Sequence, residues 1–491
     1  MSHLTNKTIK ETVKHSIIYG TGQIIPQVVG FILLPIFARY LSVSEFGVWS
    51  LLQSIINIAI SFFAAGLDTS CLRSYYDYEQ EEKRQTVVGT TILIILGMIL
   101  LINGLVQPVA KVLSKLVFNS SNYVLIIRII TITTCFRLLN SIPFVIFRAK
   151  RKSKLFITLQ SILITLRLSS MVFSLVVLKY GVLGLVLADL IVTGFGTFVL
   201  YFFIHDDVTL KFDKLFAKQL LGFGLPLIPG RFFYSIIDNI DRYFIANFIS
   251  LSSVGIYFVG FKISQVLSLI LVRPLQLIFP AVAFSLKKAS HSNDYYKRFF
   301  TYYVFVGFFL CLAIATFSSE ILLLMGKDEY LEAVNIIPVL LLSFLFAGLQ
   351  QNLNITLFIE RKTFWVPIVV CIGCVINVVM NIMLIPTLKL FGAALVKLFT
   401  RFSMAAIWYF LAMKYNRINY EWLRIVKIIF VTVIIYSSVK FVSTHNFYIN
   451  IIIKTLLLIS FPLLLFFVGF YLKEEKMKII KLVKSMSCLV S

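Results

Sequence analysis

Charged side chains are scarce in this sequence. They make up 14% of its 491 residues, about half the share of an ordinary soluble domain. That scarcity excludes a soluble globular protein, because 59% of the chain is hydrophobic and apolar runs of span length recur from end to end. Strict polar/apolar alternation is missing too, which excludes a transmembrane β-barrel. Cysteine is sparse and scattered, at positions 71, 135, 311, 371, 374 and 488, so no disulfide framework is expected. Cys371-Ile-Gly-Cys374 has the spacing of a redox or metal motif. It lies inside an apolar run without further ligands and reads as helix packing. Five histidines at scattered positions suggest no metal cluster, and no cofactor is expected. Long polar loops are also lacking, so any function must lie among the helices. Acidic residues number 22 against 46 Lys plus Arg, a net charge of +24. Such an excess can mark a nucleic-acid binder, but here the basic residues cluster in short loops between apolar runs, as membrane topology requires. No nucleic-acid partner is expected.

What is present reads as an all-α polytopic membrane protein of about fourteen transmembrane helices. The expected spans are 16–40, 45–66, 86–106, 122–147, 155–178, 182–204, 219–248, 253–284, 299–318, 332–358, 364–387, 391–413, 424–442 and 449–472. The first is expected to be a retained helix, since the polar, basic stretch before it leads into an apolar run longer than a signal peptide needs. With both termini on the cytoplasmic side, inner segments hold 28 Lys plus Arg and outer segments eight. This asymmetry supports that orientation. The longest outer loop, about 15 residues, falls between spans three and four.

The chain also repeats itself. Ala38-Arg-Tyr-Leu-Ser-Val-Ser-Glu-Phe-Gly-Val-Trp is similar to Ala246-Asn-Phe-Ile-Ser-Leu-Ser-Ser-Val-Gly-Ile-Tyr at an offset of 208, and the same offset places Gly184 on Gly392. This predicts two six-helix lobes, 1–208 and 209–416, followed by two further helices and a basic tail over 417–491. An even number of spans per lobe gives parallel repeats about an axis normal to the membrane, with a site between them.

Polar groups inside the spans point to that site. The stretch GFGLPLIPGRFFYSIIDNIDRYFIANF (222–248) carries Arg231, Asp238, Asp241 and Arg242, although each charge at bilayer depth costs roughly 2.5–3.5 kcal/mol even on a lenient scale. On one continuous helix Arg231, Ser235, Asp238 and Arg242 share a face. In span eight, Lys262, Gln265, Leu269, Arg273 and Gln276 fall within about 80° of arc, a wetted stripe. Arg137, Arg167, Lys397 and Arg401 are further basic residues within spans. Arg128, Arg242 and Lys427 are close enough to span ends to snorkel. The acids within spans are Asp189, Asp238 and Asp241, with ion pairing or proton coupling as their candidate roles. Amides such as Asn377 and Asn381 read as interhelical glue. The basic balance argues for an anionic substrate, and guanidinium groups suit phosphate oxygens. Substrate-binding candidates are therefore Arg137, Arg167, Arg231, Lys262, Gln265, Arg273, Gln276, Lys397 and Arg401. Asp189, Asp238, Asp241 and Arg242 are candidates for pairing or coupling. Arg231 is expected deep, against the anionic group, with Asp238 as its neighbour.

Two stretches carry a family resemblance: LPIFARYLSVSEFGVWSLLQSI (34–55) and LPLIPGRFFYSIIDNIDRYFIANFISLSSVGIYFVGFKIS (225–264). With the 12-plus-2 layout, the chain resembles the polysaccharide-exporter branch of the superfamily that also holds multidrug-and-toxin extrusion transporters and lipid II flippases. The resemblance implies a non-enzymatic flippase for O-antigen or capsule precursors in the bacterial cytoplasmic membrane. Its substrate would be an undecaprenyl-diphosphate-linked glycan, moved by alternating access with the lipid tail left in the bilayer. A polysaccharide polymerase and other biosynthesis proteins are candidate partners. The alternatives are a lipid II flippase, a drug or metabolite antiporter of the same fold, and a membrane polysaccharide polymerase. The antiporter would want buried carboxylates, and the polymerase a sizeable outer loop.

Overall fold

A computed structural model describes residues 28–276, 279, 283, 292–441 and 447–477. These residues form helices and connecting turns, with no strand among them. The helices are α1 (Leu34–Tyr40), α2 (Val43–Phe63), α3 (Leu67–Asp77), α4 (Glu81–Phe118), α5 (Val124–Ala149), α6 (Ser153–Val176), α7 (Gly181–Phe202), α8 (Lys214–Gly224), α9 (Ile228–Asn239), α10 (Asp241–Phe248), α11 (Leu251–Leu267), α12 (Ser292–Thr316), α13 (Ser318–Leu323), α14 (Ile337–Ile359), α15 (Trp365–Tyr415), α16 (Trp422–Lys440) and α17 (Phe447–Phe467). Twelve helical segments are long and apolar enough to cross a membrane. One of them, α15, is two helices joined at Lys389, whose φ of 51° and ψ of −132° are not helical. The protein is a multi-pass membrane protein. Most of the first expected span, from residue 16, lies outside the described residues, which begin at Val28.

Local chemistry sets the helix boundaries. Ser42 opens α2 with a capping box: Glu45 N donates to Ser42 Oγ (3.2 Å), and Ser42 N donates to Glu45 Oε2 (2.9 Å). The repeat-related Ser250 opens α11 by accepting from Ser253 N at 3.1 Å. The two helices then cross on glycine. A β-carbon on Gly47 would lie 1.9 Å from Leu251 O, and one on Gly255 would lie 2.2 Å from Val43 O. Both contacts relate residues 208 apart, so the crossing is reciprocal, as a two-fold axis between α2 and α11 would make it.

Two expectations are corrected. The stretch 222–248 is not one helix. Pro226 and Pro229 lack the N–H groups that a continuous helix needs, and the chain passes from α8 through a 3₁₀ turn (Leu225–Leu227) to α9, then bends at Ile240 into α10. The outer connection between spans three and four is not a loop of about 15 residues. Helix α4 continues through Pro108 to Phe118 and, at 1.5 Å per residue, is ~57 Å long, well beyond the ~30 Å hydrocarbon layer. Span eight carries a π-helical turn, Ser268–Val272, a feature frequent at functional sites.

Candidate functional site

The longest row of polar residues in an apolar span, Lys262 to Gln276, faces a central cavity of about 820 Å³. Lys262, Gln265, Arg273 and Gln276 all line it, the π turn notwithstanding. Opposite them stand Trp49, Gln53 and Asn57 of α2. Six cationic side chains border the space, Arg137, Arg167, Arg242, Lys262, Arg273 and Arg401, against one carboxylate, Asp238.

Partners divide these cations into two groups. Arg401 is bound to the carboxylate of Asp238 and lies over the Tyr234 ring at 4.6 Å. Arg137 donates to Asp189 at 2.5 Å, while Arg167 lies 3.9 Å from the other oxygen of the same carboxylate. One buried acid thus serves two guanidinium groups, and both Nε atoms lack partners among the described residues. Arg242, Lys262 and Arg273 make no ion pair among the described residues. Arg242 donates to Ser54 Oγ (2.9 Å) and Asn239 Oδ1 (3.0 Å) and packs over Phe258 and Phe261. Lys262 donates only to Gln265 Oε1, at 3.2 Å. The cavity therefore holds uncompensated positive charge inside a low-dielectric bundle, where it attracts anions far more strongly than in water.

Two further chambers join this cavity. One, of about 430 Å³, shares Arg137, Arg167 and Arg273 with it and is otherwise bordered by α5, α6 and α7. The other, of about 890 Å³, shares Tyr234, Asp238, Asn239 and Gln351 and reaches between α9, α14 and α15 as far as Trp408.

The structure moves three of the charges singled out from sequence. Arg231 is not in the central cavity. It donates to Asp68 Oδ1 and Thr69 Oγ1, both at 2.7 Å, bridging α9 to α3 at the border of the 890 Å³ chamber. Asp238 pairs with Arg401 and not with Arg231. Lys397 is also absent from the cavity wall. Its ammonium is buried, 2.9 Å from Asp241 Oδ2, and donates to the carbonyls of Ile237 and Asp238. It thereby satisfies acceptors that the bend between α9 and α10 frees from the helix ladder. Tyr257 completes this cluster by donating to Asp241 at 2.5 Å. Arg242 does not snorkel: it is 4% exposed and faces the cavity. Arg128 is exposed and Lys427 donates to Gly469 O at 2.8 Å. Asn377 and Asn381 are buried between the two halves of α15, where Asn377 donates to Thr400 and Asn381 to Asn377. Cys371 and Cys374 are free thiols, and the described residues contain no metal-binding group of His, Cys, Asp and Glu.

Residues 12–286, more than half the chain, match the family described as polysaccharide biosynthesis protein. The chain belongs to that family. A Haemophilus influenzae protein named for the Lsg locus is 24% identical over 289 residues, which cover 56% of this chain and 67% of that protein. Among solved structures, the fold of this family member is similar to that of the lipid II flippase MurJ in an inward closed conformation, with a TM-score of 0.71 and 15% identity over 91% of this chain and 98% of the other. An inward-facing multidrug resistance transporter of the MATE family gives a TM-score of 0.65 at 13% identity, over 86% of this chain and all of the other. The family and the fold are those that the sequence resemblance implied.

Sequence reasoning missed Asp68 as the partner of Arg231 and the aromatic walls formed by Trp49, Tyr234 and Trp408. Nothing in the local sequence marks them, since each acquires its role from residues distant in the chain.

Proposed function

We propose that this protein is a flippase for an oligosaccharide linked to undecaprenyl diphosphate. It would carry the headgroup through the central cavity from the cytoplasmic to the outer leaflet of the bacterial cytoplasmic membrane, with both termini cytoplasmic. The observation that carries this reading is the cavity itself, with six cationic side chains against one carboxylate in a bundle of membrane-spanning helices. Membership of the polysaccharide biosynthesis family supports a glycan cargo. The similarity in fold to a lipid II flippase supports a lipid-linked one. Arg167, Lys262 and Arg273 are the residues we assign to the diphosphate. Each lines the cavity and none has a carboxylate to itself. The two lobes would rock about the site, exposing it to one face at a time. A cation-exporting antiporter of the MATE fold fits this lining less well, because the one acid on it is already bound to Arg401.

The test is transport in proteoliposomes. Fluorescent undecaprenyl-diphosphate sugar, scored by a membrane-impermeant quencher, should equilibrate between leaflets faster with protein than without. Arg273→Ala should slow that equilibration while leaving insertion intact. Equal rates in protein-containing and protein-free vesicles under proton and sodium gradients would sink the proposal.

A further inference from the structure

The central cavity and the 890 Å³ chamber differ in chemistry. In the chamber every charge is already matched: Arg231 by Asp68, Asp238 by Arg401. What remains on its wall are the amides of Gln350, Gln351 and Asn354, the Tyr234 ring and the buried indole of Trp408. The two amides Gln350 and Asn354 lie one helical turn apart on α14 and so share a face. Asn354 Oδ1 is buried and has no donor among the described residues. A site built to hydrogen-bond hydroxyl groups shows such unmatched polar atoms between apolar and aromatic walls. Side-chain amides offer a donor and an acceptor together, which is what a sugar hydroxyl or acetamido group needs. Aromatic rings supply a flat apolar surface with a polar edge, suited to the C–H face of a pyranose.

Resting on the flippase reading, we infer that the headgroup binds in two parts. The diphosphate lies in the cationic cavity. The first sugars, uncharged ones, lie in the chamber bordered by Tyr234, Gln350, Asn354 and Trp408. The two compartments meet at Tyr234, Asp238, Asn239 and Gln351, so a ligand continuous in covalent structure can occupy both. A uronic acid has no counter-charge to meet in this chamber, whereas a neutral hexose or N-acetylhexosamine has donors, acceptors and ring faces.

Binding to the full-length protein in detergent tests this. The probes are undecaprenyl diphosphate alone and undecaprenyl diphosphate bearing a neutral disaccharide, with a small panel of hexose and N-acetylhexosamine combinations. At least one neutral glycolipid should bind about tenfold more tightly than the bare diphosphate. The Gln350→Ala/Asn354→Ala double variant should abolish that increment and hold the bare-diphosphate affinity within about twofold, which also reports that it is folded. Arg273→Ala should weaken both ligands alike. If no glycolipid of the panel outbinds the bare lipid, or if the amide variant weakens both ligands equally, the sugar chamber is overturned and the flippase reading stands. If neither lipid binds, both fall together.

Discussion

Lys262 and Arg273 differ from Lys397 and Arg231 in what surrounds them, although all four are basic residues in apolar stretches. Lys262 and Arg273 face the cavity without a carboxylate, whereas Lys397 and Arg231 are held by Asp241 and Asp68. Substitution should separate them. Arg273→Ala and Lys262→Ala should each lower the flipping rate about 10- to 100-fold, the equivalent of the ~1.5–3 kcal/mol of one hydrogen bond to a charged group. Unfolding temperature in detergent should be preserved. Lys397→Ala should do the reverse, destabilising the protein by ~3–5 kcal/mol because it strands a buried carboxylate. Adding Asp241→Asn should recover part of the loss, as seen in thermal unfolding. A Lys397→Ala protein that is fully stable but inactive would place Lys397 in the substrate path after all. The sequence showed which residues were charged and at what depth. It could not show their partners: Asp68 is 163 positions from Arg231, and Lys397 lies 160 from the Ile237 carbonyl it satisfies. The spacing that put Arg231 and Asp238 on one face was read correctly, but facing is not pairing, and Arg401 has the claim on Asp238.

Periodicity and loop charge served better for helices than for the breaks inside them. The wetted stripe of span eight was legible because a π turn adds only one residue, too little to rotate Arg273 and Gln276 away from Lys262. The bend at Ile240 was not legible, since Ile is an ordinary helix former there and the break is stabilised by a lysine from a distant span. The last two helices illustrate an element held by charge at both ends. Glu475, just beyond α17, accepts from Tyr302 Oη (2.5 Å), Leu472 N (2.9 Å) and Arg424 Nη2 (2.8 Å). Glu320, on the short helix α13, accepts from Lys454 at 2.5 Å. For each, burial raises the carboxyl pKa, but the donors outweigh it and the net shift is downward from 4.5. A depressed pKa stabilises the folded state fully above the unfolded value, and that contribution is lost as pH falls through the folded one. The docking of α16 and α17 onto α12 should therefore be indifferent to pH above about 5 and loosen below 4.5. Hydrogen exchange in α17 as a function of pH would show it. Glu475→Gln should raise exchange at neutral pH and flatten the profile, and an unchanged profile would remove Glu475 from the dock.

The whole molecule is closed on itself at two levels along α2. Near its start, the Gly47–Gly255 crossing brings α2 and α11 into backbone contact. Beyond its end, Gly66 and Gly224 make a second close approach. A β-carbon on Gly66 would sit 2.6 Å from Gly224 O, and one on Gly224 2.3 Å from Ala65 O. Beside this second contact lies the Asp68–Arg231 pair. The 21 residues of α2 separate the two levels by ~30 Å, a membrane thickness. Both contacts join residues below 208 to residues above it, so both bridge the proposed lobes. Alternating access then requires that one contact part while the other holds. Gly47→Val should force the first apart and bias the protein toward opening on the face that carries Ser42 and Ser250, which loop charge assigns to the outside. Asp68→Ala should weaken the second and bias it toward the opposite face, by less, because an ion pair with 39% and 30% side-chain exposure contributes about 1 kcal/mol or less. A Gln53→Cys reporter in the central cavity, labelled by a membrane-impermeant maleimide in oriented vesicles, reads both. Gly47→Val should raise labelling from outside and lower it from inside, and Asp68→Ala should shift it the other way by a few-fold. If both variants raise labelling from the same face, the two contacts do not oppose one another, and the rocking of two lobes about the cationic cavity is the wrong description of how it opens.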